Sequence, residues 1–310
     1  MRPADRPPTD LLAIGAALVT VVLWASAFVG IRAVTADLSP TSLALGRLLV
    51  GSIALGVLVA VRGWVRPSRR DLVLVLASGL TWFTVYNVVL NTAERSIDAG
   101  TASMLVNIGP IFLAILAGIF LREGFPPRLV LGCAISFGGA VVIGLATSSA
   151  DALSGISPIG VVLCVVAALA YATGVTLQKP ALRSIPAPQV TWMACLTGAV
   201  LLLPFAPTLV TELGSAQVAS IGWLVYLGLF PTAIAFTTWA FALNRTAAGR
   251  LGSMTYLVPP LVIAMSWAIL GEVPSVAAIA GGALCIGGVI VARSRSFALP
   301  TRRPVLETDA

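Results

Sequence analysis

Long runs of hydrophobic residues alternate with short polar segments along the whole chain. Each run has about the length that a helix needs to cross the hydrocarbon core of a bilayer once, roughly 20 residues. Proline and glycine inside such runs are compatible with this interpretation, because neighbouring helices can satisfy the backbone groups that they free. The pattern therefore predicts ten transmembrane helices, over residues 11–33, 41–61, 71–92, 99–121, 128–147, 157–178, 189–206, 218–241, 249–270 and 275–293.

The composition agrees with an all-α membrane protein. Hydrophobic residues make up 58% of the chain and charged residues only 10%, whereas a soluble domain has about 25% charged residues. The longest connecting segments are 62–70 and 207–217, which leaves no room for a soluble domain. No small-residue cleavage site follows the first run, so we expect a retained helix and not a signal peptide.

Basic residues are distributed unevenly between the two sets of connecting segments. If the N-terminus lies on the cytoplasmic side, the cytoplasmic segments hold 16 of the 19 lysine and arginine residues. Arg32 and Arg95 lie at outer ends, and Arg47 lies within a helix. Because basic residues favour the cytoplasmic side, this predicts a multi-pass protein of the cytoplasmic (inner) membrane with both termini cytoplasmic.

The same distribution accounts for the net charge of +7 without nucleic acid, since topology and contacts with lipid head groups explain the basic residues. The expected partners are therefore the lipid bilayer and a small-molecule substrate, with no nucleic acid. The sequence leaves open whether the protein is a monomer or a homodimer.

Two residue types bear on catalysis and metal binding. The chain contains no histidine, which excludes His-based acid–base catalysis and His-ligated metal sites. Its four cysteines lie far apart inside apolar runs, with no CxxC pair, and we interpret them as small packing residues. We expect no catalytic residues, no metal site and no cofactor.

The chain contains an internal repeat, because residues 93–145 match residues 242–294 at one constant offset, which Gly79 and Gly228 also keep. The matching positions are Ala93, Gly100, Pro110, Leu121, Glu123, Gly138 and Gly139 with Ala242, Gly249, Pro259, Leu270, Glu272, Gly287 and Gly288. Each copy holds five predicted helices, an odd number, so the second copy enters the membrane from the opposite side. The predicted units are 11–147 and 156–294, an inverted repeat of the kind that places a transporter's substrate site near the midplane between its copies.

Short motifs resemble those of the EamA family of the drug/metabolite transporter superfamily. They are WASAF at 24–28, LGRLL at 45–49, and the helix-end Glu123 and Glu272 in both copies. The resemblance spans about residues 11–294. It departs from the family pattern at Arg122, where glycine is usual, and at Cys195, which lies near the place equivalent to Arg47.

The resemblance implies a secondary transporter that exports small metabolites, amino acids or related compounds, through a central cavity by alternating access. Drug or toxic-compound efflux, and metabolite uptake, remain alternatives on the same fold. A membrane-embedded transferase is the alternative of another class, and the absence of DxxxD, DDxxD and histidine speaks against it. A passive scaffold is disfavoured by the polar groups in both halves.

The third predicted helix carries the first candidate cavity residues. Trp82 and Tyr86 are four residues apart and share a helix face, and Asn87 belongs to a neighbouring polar stripe. A buried amide is costly unless it is paired, so this stripe should face the protein interior. These residues are expected either to line a substrate cavity or to join helices and anchor the interface.

The fourth and ninth helices share a proline-centred pattern. Ser103, Asn107 and Pro110 recur at one-turn spacing, and Tyr256 and Pro259 repeat the last two positions. Proline removes a backbone donor and so frees a carbonyl one turn earlier. We expect these five residues to line the cavity, with a simple helix kink as the alternative.

Paired positions on the first and sixth helices complete the candidate cavity. Trp24 and Ser26 align with Tyr171 and Thr173, which puts an aromatic ring and a hydroxyl on both helices. These residues are expected either to line the cavity or to pack near the membrane ends, Trp24 at the periplasmic end and Tyr171 at the cytoplasmic end. Arg47 is a basic residue within a predicted span, and intramembrane charge is a functional hypothesis by default. Arg47 is expected either to bind a substrate carboxylate or to pair with Asp37 or Asp98.

The remaining expectations concern acidic and small residues. Glu123 is expected to cap a loop or to pair with Arg122 or Arg128. No acidic residue lies in the middle of a predicted helix, so the sequence offers no obvious proton carrier. The small pairs Ala134-x₃-Gly138 and Ala283-x₃-Gly287 are expected to pack helices within the bundle or to form a dimer.

Overall fold

A computed structural model of the protein describes residues 10–34, 37–95, 105–147, 158–270 and 276–294. These residues form helices and connecting turns, with no β-strand among them. In chain order the helices are α1 (Leu11–Val34), α2 (Pro40–Arg62), α3 (Arg69–Ala93), α4 (Gly109–Phe120), α5 (Pro127–Thr147), α6 (Pro158–Ala181), α7 (Ala187–Ser215), α8 (Val218–Arg245), α9 (248–270) and α10 (Val276–Arg293).

Six of the described helices are long and apolar enough to cross a membrane, namely α1, α2, α3, α6, α7 and α8. Three shorter apolar helices, Gly109–Phe120, Pro127–Ile143 and Ile279–Arg293, accompany them. The all-helical prediction holds for the part of the chain that the structure describes. The count of ten crossings remains a prediction.

Three of these helices are irregular, and two of them are irregular at positions related by the sequence repeat. Gly79–Val85 of α3 and Gly228–Ile234 of α8 are π-helical and keep the repeat offset. In the second, the Thr232 hydroxyl donates to the carbonyl oxygen of Leu227, five residues back (2.8 Å). Helix α9 begins at Ala248 and passes through a 3₁₀ segment at Ser253–Leu257 before Val258–Leu270.

Most predicted runs coincide with the observed helices to within a few residues, but two do not. The predicted loop 207–217 is wrong, because α7 continues to Ser215. Pro204 and Pro207 each lie at the first turn of a short helical segment, where the missing N–H is not needed. Within the run 99–121, a turn at Asn107 and Ile108 separates the helical residues Leu105 and Val106 from the regular helix that begins at Gly109.

Several polar contacts lie at the end of the bundle where Lys179 pairs with Glu123, which we call the Lys179 end. There Arg245 pairs with Asp10 (3.7 Å) and Arg128 donates to Ser294 (3.3 Å). Both ends of the described chain therefore lie at the Lys179 end.

We call the opposite end of the bundle the Asp37 end. The Asp37 carboxylate accepts from the Ser220 hydroxyl (2.5 Å) and the Gln217 amide (3.2 Å). Glu212 accepts from the backbone N–H of Ser39 (2.9 Å). These contacts join the start of α2 to α7 and α8.

Helices α5 and α10 pack through glycine against glycine. A Cβ on Gly139 would lie 2.6 Å from the carbonyl oxygen of Gly281, and one on Gly288 would lie 2.6 Å from that of Gly132. Such distances leave no room for a side chain, so the two backbones are in direct contact. Gly138 instead faces open space with nothing within 4 Å of a built Cβ. The Ala134-x₃-Gly138 pair therefore does not pack helices within the described bundle.

Candidate functional site

A cavity of about 100 Å³ lies between the two halves of the chain. Residues of α1, α2, α3 and α4 line it from the first half, and residues of α6, α8 and α9 line it from the second. The first-half residues belong to the part of each helix nearer the Asp37 end. The second-half residues come from nearer the middle of their helices and form the floor together with Trp24 and Trp82.

Eight of the thirteen candidate residues lie on the cavity wall: Trp24, Arg47, Trp82, Tyr86, Asn87, Asn107, Pro110 and Tyr171. The candidate side chains did not include the other wall residues, which are Ala27, Phe28, Ile31, Leu90, Val106, Phe236, Thr255 and Val258. Most of the second group are apolar and look like ordinary span residues in sequence. Helical spacing alone could have predicted Leu90 as a wall residue, because it lies one turn after Tyr86 on the helix face that carries Trp82 and Tyr86. Contact of any wall residue with a substrate remains a prediction.

Ser26 and Thr173 do not belong to this wall. Each lies two residues after a wall aromatic, which rotates it by about 200° around the helix and points it away from the cavity. The Ser26 hydroxyl is hydrogen-bonded to the Tyr226 hydroxyl at 2.7 Å. It joins α1 to α8 instead of facing the cavity.

Tyr256 and Pro259 also lie off the wall, while Thr255 and Val258 lie on it. The reason is the 3₁₀ geometry of Ser253–Leu257, in which residues three apart share a face. α-Helical spacing predicts that the adjacent face, which carries Tyr256 and Pro259, lines the cavity. Ser103 lies outside the described residues.

The cavity floor is a cluster of aromatic rings. Ring centroids are 4.7 Å apart for Trp82 and Phe236, 5.0 Å for Trp24 and Trp239, and 5.5 Å for Trp82 and Tyr171. Edge-on and tilted pairs of this kind add about 0.5–1.5 kcal/mol each beyond area burial. The floor is therefore a packed apolar surface that a hydrocarbon or aromatic group could rest on.

Arg47 is the positively charged residue among those that line the cavity. Its side chain is only 6% exposed, and its Nε donates to the Thr232 hydroxyl at 3.1 Å. The expected pair with Asp37 is wrong, because Asp37 lies at the helix ends and bonds Ser220 and Gln217. Asp98 lies outside the described residues.

No carboxylate of the described residues comes within 4.0 Å of the Arg47 guanidinium, since the two ion pairs found there are Lys179–Glu123 and Arg245–Asp10. A buried charge without a counter-charge is costly. Among the described residues, the Arg47 guanidinium therefore has no carboxylate partner and lies on the cavity wall as a positive charge.

The asparagines of α3 differ in what they bond. The Asn87 amide donates to the carbonyl oxygen of Phe83 in its own helix (2.8 Å). The Asn91 amide donates to the carbonyl of Pro40 (3.1 Å) and so joins α3 to α2.

Tyr171 is a further polar residue of the cavity wall. Its hydroxyl is fully buried and has no hydrogen-bond partner among the described residues.

A second polar cluster closes the bundle at the Lys179 end. Glu123 Oε1 accepts from Lys179 Nζ (2.5 Å) and from the backbone N–H of Ala248 (2.8 Å), and its Oε2 accepts from Gly249 N–H (3.2 Å). The expected pair of Glu123 with Arg122 or Arg128 is wrong. The carboxylate instead caps the start of α9, where unpaired N–H groups favour a negative charge, and it ties α4, α6 and α9 together.

Both halves of the chain are similar in sequence to known transporters. The model of the EamA-like transporter family matches residues 11–145 and 158–294. A Streptantibioticus cattleyicolor protein named "Probable terminal-alkyne amino-acid exporter" is 37% identical over 92% of this chain and 94% of its own length. "Uncharacterized transporter YdfC" of Bacillus subtilis is 32% identical over 86% of each chain.

Two further comparisons extend the similarity at lower identity. A Salmonella typhimurium protein named "Probable amino-acid metabolite efflux pump" is 25% identical over 89% of this chain and 92% of its own length. A crystal structure with 20% identity covers 92% of this chain and 97% of that one, with a TM-score of 0.76. At that identity the structural match supports the fold alone.

Proposed function

The chain belongs to the EamA-like transporter family, so it is a membrane transporter and not an enzyme, and from this premise we propose that it exports amino acids or related small carboxylates. The observation that carries the proposal is the cavity between the two halves, with Arg47 on its wall and aromatic rings on its floor. An amino acid offers the matching pair of groups, a carboxylate and a compact side chain.

The Arg47 guanidinium is the proposed carboxylate site. It is buried, is held by Thr232 through its Nε, and has no acidic partner within 4.0 Å among the described residues. Its planar fork of donors fits a carboxylate in a bidentate manner. A bound carboxylate would supply a counter-charge that no described residue provides within 4.0 Å, which favours anionic or zwitterionic substrates over cations.

The aromatic floor is the proposed site for the substrate's side chain. Trp24, Trp82 and Phe236 present apolar surface to the cavity, and Tyr171 adds a hydroxyl without a partner in the described structure. Burying a medium-sized apolar group there would stabilise the complex by about 1.5–3 kcal/mol. The names of two relatives as amino-acid exporter and amino-acid metabolite efflux pump support the same substrate class.

The proposed topology is ten crossings in two inverted five-helix units, 11–147 and 156–294. The repeat offset is supported by the π-helical segments of α3 and α8, which occupy equivalent positions. Both ends of the described chain lie at the Lys179 end, where most of the basic residues gather. The positive-inside rule supports the proposal that this end faces the cytoplasm, with both termini cytoplasmic and the protein in the cytoplasmic membrane.

The proposed mechanism is alternating access, with the present state closed at the cytoplasmic side. Below the floor, the Lys179–Glu123 pair and the capped start of α9 join three helices. Export requires these contacts to open and the wall near the Asp37 end to close, so that the Arg47 site faces each side in turn.

The test is transport in proteoliposomes with a panel of radiolabelled amino acids, comparing wild type with Arg47→Gln. Hydrogen bonds to a charged group contribute about 1.5–3 kcal/mol, so we expect Arg47→Gln to lower carboxylate flux by about ten- to a hundredfold. Arg62→Gln, at the exposed end of the same helix, is the matched control and should transport normally. Folded protein that moves no amino acid, or unchanged flux in Arg47→Gln, would contradict the proposal.

Direction is tested in cells that express the chain and are challenged with toxic amino-acid analogues and with drugs. Resistance to the analogues is the expected result, because export lowers their internal concentration. Greater sensitivity would indicate uptake. Resistance to drugs alone would indicate drug efflux on the same fold.

A further inference from the structure

Four side chains in the second half of the chain carry polar atoms that are fully buried and have no hydrogen-bond partner among the described residues. They are Tyr171 and Gln178 of α6, Trp239 of α8 and Tyr256 of α9. A buried polar group without a partner is costly, and native structures contain few of them. Four in one half of the molecule therefore require a physical reason.

The sequence repeat relates all four residues to the cavity wall. The aligned pairs are Tyr171 with Trp24, Gln178 with Ile31, Trp239 with Leu90, and Tyr256 with Asn107. The first two pairs keep the offset that relates α1 to α6, and the last two keep the offset of Gly79 and Gly228. All four first-half partners line the cavity. The unpartnered groups therefore occupy the second-half positions that correspond to the open wall of the first half.

Two of the four residues lie between the cavity floor and the Lys179 end. Gln178 is seven residues after Tyr171 and directly precedes Lys179, which puts it about 10 Å beyond the floor by the helix rise. Trp239 follows the wall residue Phe236 by three residues on the way to the same end. Both side chains are fully buried. They belong to the part of the bundle that closes the cavity on this side.

The proposed inverted repeat gives these two positions a role in alternating access. When two inverted halves exchange conformations, the wall that opens toward one face corresponds to the wall that opens toward the other face in the alternate state. In the described state the wall includes Ile31 and Leu90 near the Asp37 end, and we call these two residues the outer mouth. Their equivalents, Gln178 and Trp239, then form the inner mouth when the bundle opens at the Lys179 end.

We infer that Gln178 and Trp239 form a second recognition site for the polar groups of an amino acid, on the path between the cytoplasm and Arg47, in the state open at the Lys179 end. The amide and indole N–H groups donate to the substrate carboxylate, and the amide oxygen accepts from its ammonium group. The outer mouth has only hydrocarbon at the equivalent positions, so this site has no counterpart there. The inference rests on the proposed export by alternating access.

The first experiment is labelling of single cysteines by a membrane-impermeant maleimide, in membrane vesicles of both orientations and in a background without the native cysteines. Ile31→Cys should react from the outer side when Glu123 is present. Gln178→Cys should react from the cytoplasmic side, and Glu123→Gln should increase that reaction because it weakens the contacts at the Lys179 end. Ala181→Cys is the control, since Ala181 is buried at the same end and its repeat equivalent, Val34, is not a wall residue.

The second experiment compares two buried glutamines while keeping the native cysteines. Gln178→Met removes an amide without partners, so the melting temperature should equal or exceed that of wild type. The flux of the amino acid that wild type carries fastest should fall by about two- to tenfold, the contribution of one neutral hydrogen bond. Gln189→Met is the matched control: Gln189 is also buried, but its amide donates to the Val65 carbonyl (2.6 Å) and accepts from the Val65 N–H (3.0 Å). Its loss should lower the melting temperature.

Trp239→Phe keeps an aromatic ring and removes the indole N–H. The flux should fall as in Gln178→Met, with no loss of thermal stability beyond that of the smaller ring. Unchanged flux in both variants would overturn contact with the substrate.

The remaining outcomes separate the inner mouth from the proposed function. Gln178→Cys that reacts only from the outer side, or that stays unreactive when Glu123→Gln exposes the wall position Thr255→Cys to the cytoplasm, overturns the inference. A melting temperature of Gln178→Met lowered as far as that of Gln189→Met makes Gln178 a structural residue and overturns it too. If Glu123→Gln exposes neither cysteine, the two glutamine variants decide. Wild-type protein that transports no amino acid contradicts the proposed function, whereas the labelling result does not depend on transport.

Discussion

At the scale of single residues, the buried Arg47 side chain is the feature that most constrains function. Its Nε bonds the Thr232 hydroxyl, and that hydroxyl in turn donates to the carbonyl of Leu227 in the π-helical segment of α8. The irregular helix thus presents an oxygen to an arginine from the other half of the chain. A regular α-helix would place the Thr232 side chain and its acceptor differently, because its bonds run to the fourth residue back.

Replacing Thr232 with valine tests this positioning role. Thr232→Val leaves the Arg47 Nε without its acceptor, which should cost about 1–3 kcal/mol of stability and weaken carboxylate binding. Thr232→Ser keeps the hydroxyl and should restore binding, which a purely structural role of the methyl group would not explain. Thermal unfolding in detergent and amino-acid binding measure the two effects. Equal binding in the valine and serine variants would contradict the role.

At the scale of helices, the contact between α5 and α10 depends on which of two adjacent glycines faces the partner. Gly139 lies against the backbone of Gly281, whereas Gly138 faces open space. The two residues are neighbours in sequence, have the same chemistry, and differ only in what surrounds them. A substitution at Gly139 therefore tests the helix contact, and the same substitution at Gly138 is its matched control.

We expect Gly139→Ala to destabilise the protein and Gly138→Ala to leave it unchanged or slightly more stable. The new Cβ at position 139 would lie 2.6 Å from a backbone oxygen, which forces the helices apart, and overpacking of this kind costs about 1–3 kcal/mol. At position 138 alanine meets nothing and gains up to about 1 kcal/mol of helix propensity. Thermal unfolding of both variants decides, and equal melting temperatures would disprove the packing argument.

At the scale of the whole molecule, the bundle is tied at the Lys179 end below the cavity floor. Glu123 joins α4 to α6 through Lys179 and to α9 through two backbone N–H groups. If the molecule works by alternating access, these contacts must break for substrate to enter from the cytoplasm. The carboxylate is therefore expected to bias the molecule toward the state described here.

Glu123→Gln should shift the population toward the state open at the Lys179 end, because the amide cannot form the ion pair and caps helices more weakly. Thr255→Cys, placed on the cavity wall, reports the shift through labelling by a membrane-impermeant maleimide in a background without the native cysteines. We expect labelling from the outer side with Glu123 and increased labelling from the cytoplasmic side with Glu123→Gln. Arg183→Gln, an exposed residue near the same end, is the control. Unchanged sidedness in Glu123→Gln would contradict a gating role.

The candidate cavity could be predicted in part from the sequence, and the misses have local causes. Trp82, Tyr86 and Asn87 were accessible to pattern reasoning because their helix face combines aromatic and amide groups. Tyr256 was selected instead of Thr255 because the sequence does not reveal that Ser253–Leu257 is a 3₁₀ segment.

The sequence by itself determined the helical membrane class and the family. Hydrocarbon admits only segments that satisfy their own backbone, so the lengths and apolarity of the runs carry that information. The tertiary structure decided which face of each helix meets the cavity and that Arg47 bonds Thr232 and not Asp37. These outcomes depend on local helix geometry and on which helices become neighbours, and neither follows from the spacing of residues along one chain.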